Sequence, residues 1–158
     1  MINLIVATSI NIIKNNKLLW NIQKDLKYFK ELTSNTCIMR ETFDSIISIL
    51  KPLPNRISFV ISRNLEIKKQ IEEKYENVFV FNSIEELLEN IKDDNSYWVI
   101  MIYKSLLPYV DEIYLTKILK TYEDKSFSFN ENEFSLISKS DVNVENIEFI
   151  FEKYEKNK

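Results

Sequence analysis

The chain has 158 residues, with 21 Lys and Arg against 24 Asp and Glu, one Cys and no His. That length suits a single domain, residues 1–158, with a sizeable core, and a net charge of −3 supplies no basic field for a nucleic-acid partner. Disulfides, Cys/His zinc sites and Ser-His triads are excluded, no metal site and no membrane span are expected, and the cytoplasm is the expected location.

Ile2 to Thr8 is a continuous β-favouring apolar run, which predicts a strand buried on both faces. Asn11 to Lys17 is a polar loop with Asn15-Asn16 as turn residues. A helix follows in which Leu26, Phe29 and Leu32 share an apolar face while Lys24, Lys27, Lys30 and Glu31 turn away. Asp25 falls in its first turn, beside that face. The macrodipole and the unpaired N–H groups of a helix start explain such an acid. Trp20 upstream and Phe29 one turn downstream support the alternative, a pocket walled by aromatics around a buried, hydrogen-bonding carboxylate.

Thr36 to Met39 reads as a short strand that includes Cys37, here a small core residue. Phe43, Ile46, Ile47 and Leu50 give a second amphipathic helix, ended by Pro52, and Lys51 to Arg56 a stiff turn. Ile57 to Ile61 is a third strand with Ser62-Arg63-Asn64 at its end. Leu65 to Tyr75 is helical in pattern and Val78 to Phe81 a strand. Ser83 and Glu86 stand at capping-box spacing before a helix that buries Ile84, Leu87, Leu88 and Ile91. Tyr97 to Ile102 is a strand, Tyr103 to Leu107 a brief helix stopped by Pro108, and Ile113 to Ile118 another strand. Phe134 to Ile137 and Ile147 to Phe151 form a closing antiparallel hairpin. The fold class expected is α/β, a central, mainly parallel twisted sheet with that C-terminal hairpin and helices on both faces.

One abundance is abnormal. Average usage would place about 11 glycines in such a chain, and it has none. Glycine is the usual solution for turns with positive φ and for close backbone approach.

The order of these residues resembles that of the dihydrofolate reductase family over nearly the whole chain, most strongly from Met1 to Thr116. The matching segments are Leu4-Ile5-Val6-Ala7, Trp20-Asn21 with Asp25-Leu26, Ile38 to Ser45, Pro52-Leu53-Pro54 with Arg56, Ile102 to Pro108, and Tyr114-Leu115-Thr116. Each is weak alone; together and in order they are specific. The departures concern glycine: the family's Met-Gly-Arg is Met39-Arg40, its Ile-Gly-Gly-x-x-Ile-Tyr is Ile100-Met101-Ile102-Tyr103, and its Gly-containing loop is Ile10 to Lys14. Glycine positions are closed up while their neighbours survive, the pattern of omission and not of replacement.

The resemblance implies hydride transfer from NADPH to the pterin ring of dihydrofolate in a monomeric enzyme. It implies that Asp25 hydrogen-bonds the pterin and favours its protonation, with Trp20 beside it and Thr116 in support. It places Ile5, Val6, Leu26, Phe29, Ile46, Leu53, Ile100 and Tyr103 around the folate and Arg56 on its glutamyl carboxylate. Ala7, Ile13, Leu18, Arg40, Glu41, Thr42, Ile61, Ser62, Arg63 and Met101 are implied at the cofactor, with Arg40 and Arg63 suited to the 2′-phosphate. The apolar members have the core as their alternative reading, Thr116 a plain strand residue, and Arg63 a solvated charge. At the level of function, a pyrimidine reductase of riboflavin synthesis shares the fold, though it would not be expected to carry Trp20, Asp25, Phe29 and Arg56 together. A non-catalytic folate- or nucleotide-binding homologue would fit a chain without glycine near a pyrophosphate.

Overall fold

The computed structural model describes residues 1–7, 13–14, 17–18, 22–41, 54–92, 95–99, 105–119, 129–145 and 147–158. In chain order the elements are β1 (Ile2–Ala7), β2 (Ile13–Lys14), β3 (Lys17–Leu18), α1 (Gln23–Thr33), β4 (Cys37–Glu41), β5 (Ile57–Ile61), α2 (Leu65–Lys74), β6 (Val78–Phe81), α3 (Ile84–Glu89), β7 (Tyr97–Val99), a 3-10 turn (Leu107–Tyr109), β8 (Glu112–Ile118), β9 (Phe134–Lys139), β10 (Asn143–Val144) and β11 (Glu148–Lys156). They fall into two units, Met1–Ile2 with Thr33–Tyr109, and Asn3–Leu32 with Val110–Lys158.

The first unit is built on parallel strands. β4 pairs with β7 on one side and β5 on the other, and β5 pairs with β6, so that Met39 stands opposite both Phe59 and Val99. Such strands are covered on both faces and carry β-branched runs, and Val60, Val78 and Val80 duly form one buried cluster with Ile67 and Ile71 of α2. Those two isoleucines lie one turn apart on the helix. α2 starts where it does because Asn64 Oδ1 accepts from the N–H groups of Glu66 and Ile67. α3 starts at Ser83, whose Oγ accepts from Glu86 N–H, while the Glu86 carboxylate accepts from the N–H of Asn82. The helix has six residues, and of its four expected core positions Leu87 alone is fully covered.

The second unit mixes directions. β1 runs parallel to β8; β11 runs antiparallel to β8, β9 and β10, with a register shift between Lys153 and Tyr154 against β9. Ile22, Ile118, Ile147 and Phe149 pack together, with Phe151 against them. The fold class is thus α/β with few helices and a mixed, mostly parallel sheet closed by C-terminal antiparallel strands.

Three local expectations change. Part of the polar stretch Asn11 to Lys17 is the small antiparallel pair β2 and β3, Ile13 facing Leu18. Pro108 lies inside the 3-10 turn and does not stop a helix before it, since a turn so short leaves its early N–H groups unpaired and tolerates the missing donor. The closing strands are longer than a hairpin of four or five residues and include β10, whose Asn143 and Val144 carry no alternating apolar signal. The helix expected over 42–50 and the start of the one at Tyr103 lie outside the described residues.

Candidate active site

The first turn of α1 is held from a distance. The C=O of Ile22 accepts from Leu26 N–H at 3.1 Å, which makes Ile22 the cap residue. Its apolar side chain cannot accept a hydrogen bond, and it is buried beside Ile118, Ile147 and Phe149. Glu145 acts in its place: its two carboxylate oxygens accept from Gln23 N–H at 2.9 Å and Lys24 N–H at 3.0 Å. The Lys24 ammonium donates to Asn143 Oδ1. Asp25, the third helical residue, is thereby released from capping and turns towards β8.

There Thr116 Oγ1 donates to Asp25 Oδ1 at 2.6 Å. Thr116 is buried, opposite Ala7 on β1 and Phe151 on β11. Among the described residues the Asp25 carboxylate has no other hydrogen bond. Burial pushes its pKa above the ordinary carboxylate value, the Thr116 hydroxyl opposes that rise, and the negative charge of Glu145 adds to it. One turn on, the Tyr28 ring packs on Phe151 with centroids 4.4 Å apart. Burial raises the Tyr28 phenol, Tyr114 and Asp25 add to the rise, and Lys153 works against it. Tyr114 and Lys153 both bind Glu112, at 2.8 and 2.9 Å.

The unit therefore presents a half-buried carboxyl whose pKa burial raises and whose Oδ1 is fixed by Thr116. Ile5 and Val6 are buried in β1, and Phe29 is half-buried on α1. Leu26 is 40% exposed, so the apolar face of α1 is covered only in part; its fully buried residue is Thr33 at the far end.

In the first unit Arg56 is 7% exposed. Its Nε and one terminal nitrogen donate to Thr33 Oγ1 at 3.2 and 2.9 Å, and the other terminal nitrogen donates to Pro54 O at 2.6 Å. The turn that delivers it contains Asn55 at φ 59°, and Asn35 stands at φ 60°. These are the two left-handed positions among the described residues, both taken by the residue that tolerates that region best after glycine. Asn35 N–H donates to Asn55 C=O at 2.8 Å, which joins the two turns. Arg56 was expected as a clamp projecting from the stiff turn Lys51 to Arg56; residues 51–53 of that turn lie outside the described residues, and the guanidinium is anchored on Thr33 and Pro54.

Arg40 and Glu41 end β4, and Ile61 ends the adjacent parallel β5, opposite Glu41. Ser62 follows, buried, its Oγ accepting from Asn64 N–H at 3.3 Å, and Arg63 is exposed. Ala7 ends β1, and Ile13 and Leu18 face each other in β2 and β3. Trp20, Thr42, Ile46, Leu53, Ile100, Met101 and Tyr103 lie outside the described residues. Sequence reasoning missed Glu145 and Tyr28. Tyr28 could have been found one turn after Asp25 on the same helix. Glu145 could not, since 122 residues separate it from Gln23.

The dihydrofolate reductase family model matches residues 1–156. The chain belongs to the dihydrofolate reductase family. It is 34% identical to a dihydrofolate reductase of Bacillus subtilis, with 99% of this chain and 95% of that one covered, and 32% identical to one of Heliothis virescens, with 98% and 97% covered. A solved dihydrofolate reductase of Enterococcus faecalis, complexed with NADP(H) and RAB-propyl, superposes with a TM-score of 0.77 at 27% identity over 100% of this chain and 97% of that one. As a dihydrofolate reductase the chain is an NADPH-dependent oxidoreductase acting on a small molecule. The donors fit that cofactor. Ligands of open parallel sheets bind beyond the carboxyl ends of the strands, where Arg40, Ser62 and Arg63 stand. Asn64 closes the start of α2, so an anion there would meet Ser62 and Arg63 and not bare helix N–H groups. Among the described residues no helix is long and apolar enough to cross a membrane.

Proposed function

We propose that the chain reduces 7,8-dihydrofolate to 5,6,7,8-tetrahydrofolate, for one-carbon and thymidylate metabolism, with Asp25 as the residue that meets the pterin. The observation that carries this reading is the Asp25–Thr116 hydrogen bond, which fixes one oxygen of a carboxyl whose pKa burial raises, at the start of a half-covered apolar helix face. NADPH, when bound, supplies the hydride. Asp25 accepts hydrogen bonds from the amino group and ring N–H of the pterin and favours protonation of the ring nitrogen next to the hydride acceptor. Ile5, Val6, Leu26 and Phe29 give that ring an apolar surround, which strengthens its pairing with the carboxyl. Trp20, Ile46, Leu53, Ile100 and Tyr103 complete the folate set.

Arg56 meets the glutamyl carboxylate, from a turn that also anchors it on Thr33 and Pro54. Arg40 and Arg63 meet the 2′-phosphate, as cations at adjacent strand ends suit a doubly charged group. Ala7, Ile13, Leu18, Glu41, Thr42, Ile61, Ser62 and Met101 make up the rest of the cofactor set. The family match from residue 1 to 156 supports one domain over residues 1–158 and a monomer, and the composition supports a cytoplasmic protein without a nucleic-acid partner.

The test is NADPH consumption by the purified protein, followed by absorbance. Loss of NADPH on addition of dihydrofolate is the expected result. Binding of both ligands without turnover would identify a non-catalytic homologue, and turnover only with a ribosylated aminopyrimidine would move the chain to the riboflavin branch.

A further inference from the structure

We infer that Glu145 is a positioning residue for this reaction: from the turn after β10 its carboxylate closes the N-terminus of α1 and fixes the turn that carries Asp25. The inference rests on the reading of Asp25 given above and names what holds that residue in place.

Two independent contacts join the segment around Glu145 to the helix start. Both Glu145 oxygens are engaged by consecutive backbone N–H groups, those of Gln23 and Lys24. Two residues further on, Ile147 shares a buried cluster with Ile22, the residue just before the helix. One contact is polar and directional, the other apolar, and together they pin both position and entry angle of the first turn, as a capping side chain and a hydrophobic staple do within one segment. Here the parts come from opposite ends of the chain. An ionised acceptor at a helix N-terminus also gains from the macrodipole.

The cap is a second negative charge near Asp25, and this separates it from a merely structural support. The ionisable groups around Asp25 are Glu145, Tyr28 on its own helix, and, facing Tyr28, Tyr114 on β8 and Lys153 on β11, the last held by Glu112. Among them Glu145 is the one whose charge acts on Asp25 in the direction of proton retention. A neutral cap such as Ser or Asn would hold the turn equally well without that effect. Because Glu145 is exposed, its influence is screened by salt.

The experiment compares Glu145→Gln, which removes the charge and keeps one acceptor, with Glu145→Ala, which removes both. Titration of the Asp25 side-chain carboxyl is read by NMR in the ligand-free protein, the resonance being assigned by its loss in Asp25→Asn. The pH profile of hydride transfer is measured alongside. In Glu145→Gln the Asp25 titration and the alkaline limb of the rate both move to lower pH, and the displacement shrinks as salt is added. Glu145→Ala adds a fall in kcat larger than any rise in KM. If Glu145→Ala does not fold, Glu145→Gln alone decides. An Asp25 titration in Glu145→Gln identical to that of the parent overturns the inference. Full turnover by Asp25→Asn overturns instead the role of Asp25, and the NMR result stands apart from it.

Discussion

Thr116 donates to Asp25 at 2.6 Å across 91 residues of sequence, and the hydroxyl pulls the acid's pKa down while burial pushes it up. The proton affinity of Asp25 is therefore a balance that a single side chain can tip. Thr116→Val removes the opposing influence at nearly constant shape. Asp25 then holds its proton to higher pH, and the alkaline limb of hydride transfer moves up, opposite to the direction expected for Glu145→Gln. Loss of a hydrogen bond to a charged group lowers stability by about 1.5–3 kcal/mol, read as the midpoint of denaturant unfolding. A limb that stays in place in Thr116→Val would show that another group governs it.

Asp25→Asn is expected to slow hydride transfer at neutral pH by about a hundred- to ten-thousand-fold, the range for loss of a positioned acid or base. Dihydrofolate binding changes far less, because the amide still offers an oxygen to ring donors. Stability goes the other way. Since the folded-state pKa lies above the ordinary 3.8, the native state takes up its proton before the unfolded chain does. The stabilisation from that linkage is complete below 3.8 and is lost as pH rises through the folded value. Asp25→Asn, which cannot ionise, should gain on the parent as pH rises from acid to neutral. Melting temperatures of the two proteins at both ends of that range test it, and an Asp25→Asn protein that loses ground to the parent towards neutrality would contradict the sign.

For Arg56 the two roles are separable. Arg56→Leu removes the donors that reach buried Thr33 Oγ1 and part-buried Pro54 O and should cost about 1–3 kcal/mol of stability. If Arg56 also meets the glutamyl carboxylate, KM for dihydrofolate rises much more than kcat falls, because remote uniform binding is lost. A pterin lacking the glutamyl tail should show no such rise. Equal losses on both substrates would confine Arg56 to the Thr33 and Pro54 contacts.

Cofactor preference provides the fourth test. Replacing Arg40 and Arg63 by Gln should narrow the preference for NADPH over NADH by about tenfold or more, the equivalent of one charge-assisted hydrogen bond. Turnover with NADH should hardly change. A preference that survives both changes would assign the 2′-phosphate to other groups.

What the sequence disclosed and what it hid follow from the range of the interactions. β5 and β6 were readable because Ile57 to Ile61 and Val78 to Phe81 are unbroken β-favouring runs. α2 and α3 announced themselves by Asn64 and Ser83, caps that act on N–H groups two or three residues away. Asp25 was legible as an acid in a first turn, and Thr116 through the resemblance carried by Tyr114-Leu115-Thr116. The cap of α1 was illegible, since Ile22 offers no acceptor and the one that serves stands at residue 145. The anchoring of Arg56 was hidden for a related reason: Thr33 reads as the tail of one helix, and nothing local ties it to an arginine after Pro54. Leu26 illustrates a third case, an apolar residue at a core-like spacing that the fold leaves 40% exposed. Periodicity reports which face a residue shares, and not how far that face is covered.

The second unit is discontinuous in sequence, drawn from residues 3–32 and 110–158, whereas nearly all of the first is the single stretch 33–109. During synthesis, which runs from the N-terminus, the stretch holding β4, β5 and β6 leaves the ribosome able to pair with itself. β1 and α1 emerge earlier, whereas β8, a parallel partner of β1, and Glu145, the cap of α1, come only after residue 110. Asp25 thus acquires Thr116 only after residue 116 has been made, 91 residues later, and its helix is closed later still. A nascent chain interrupted before residue 145 would hold the whole of the first unit and lack the carboxylate that accepts from the first N–H groups of α1.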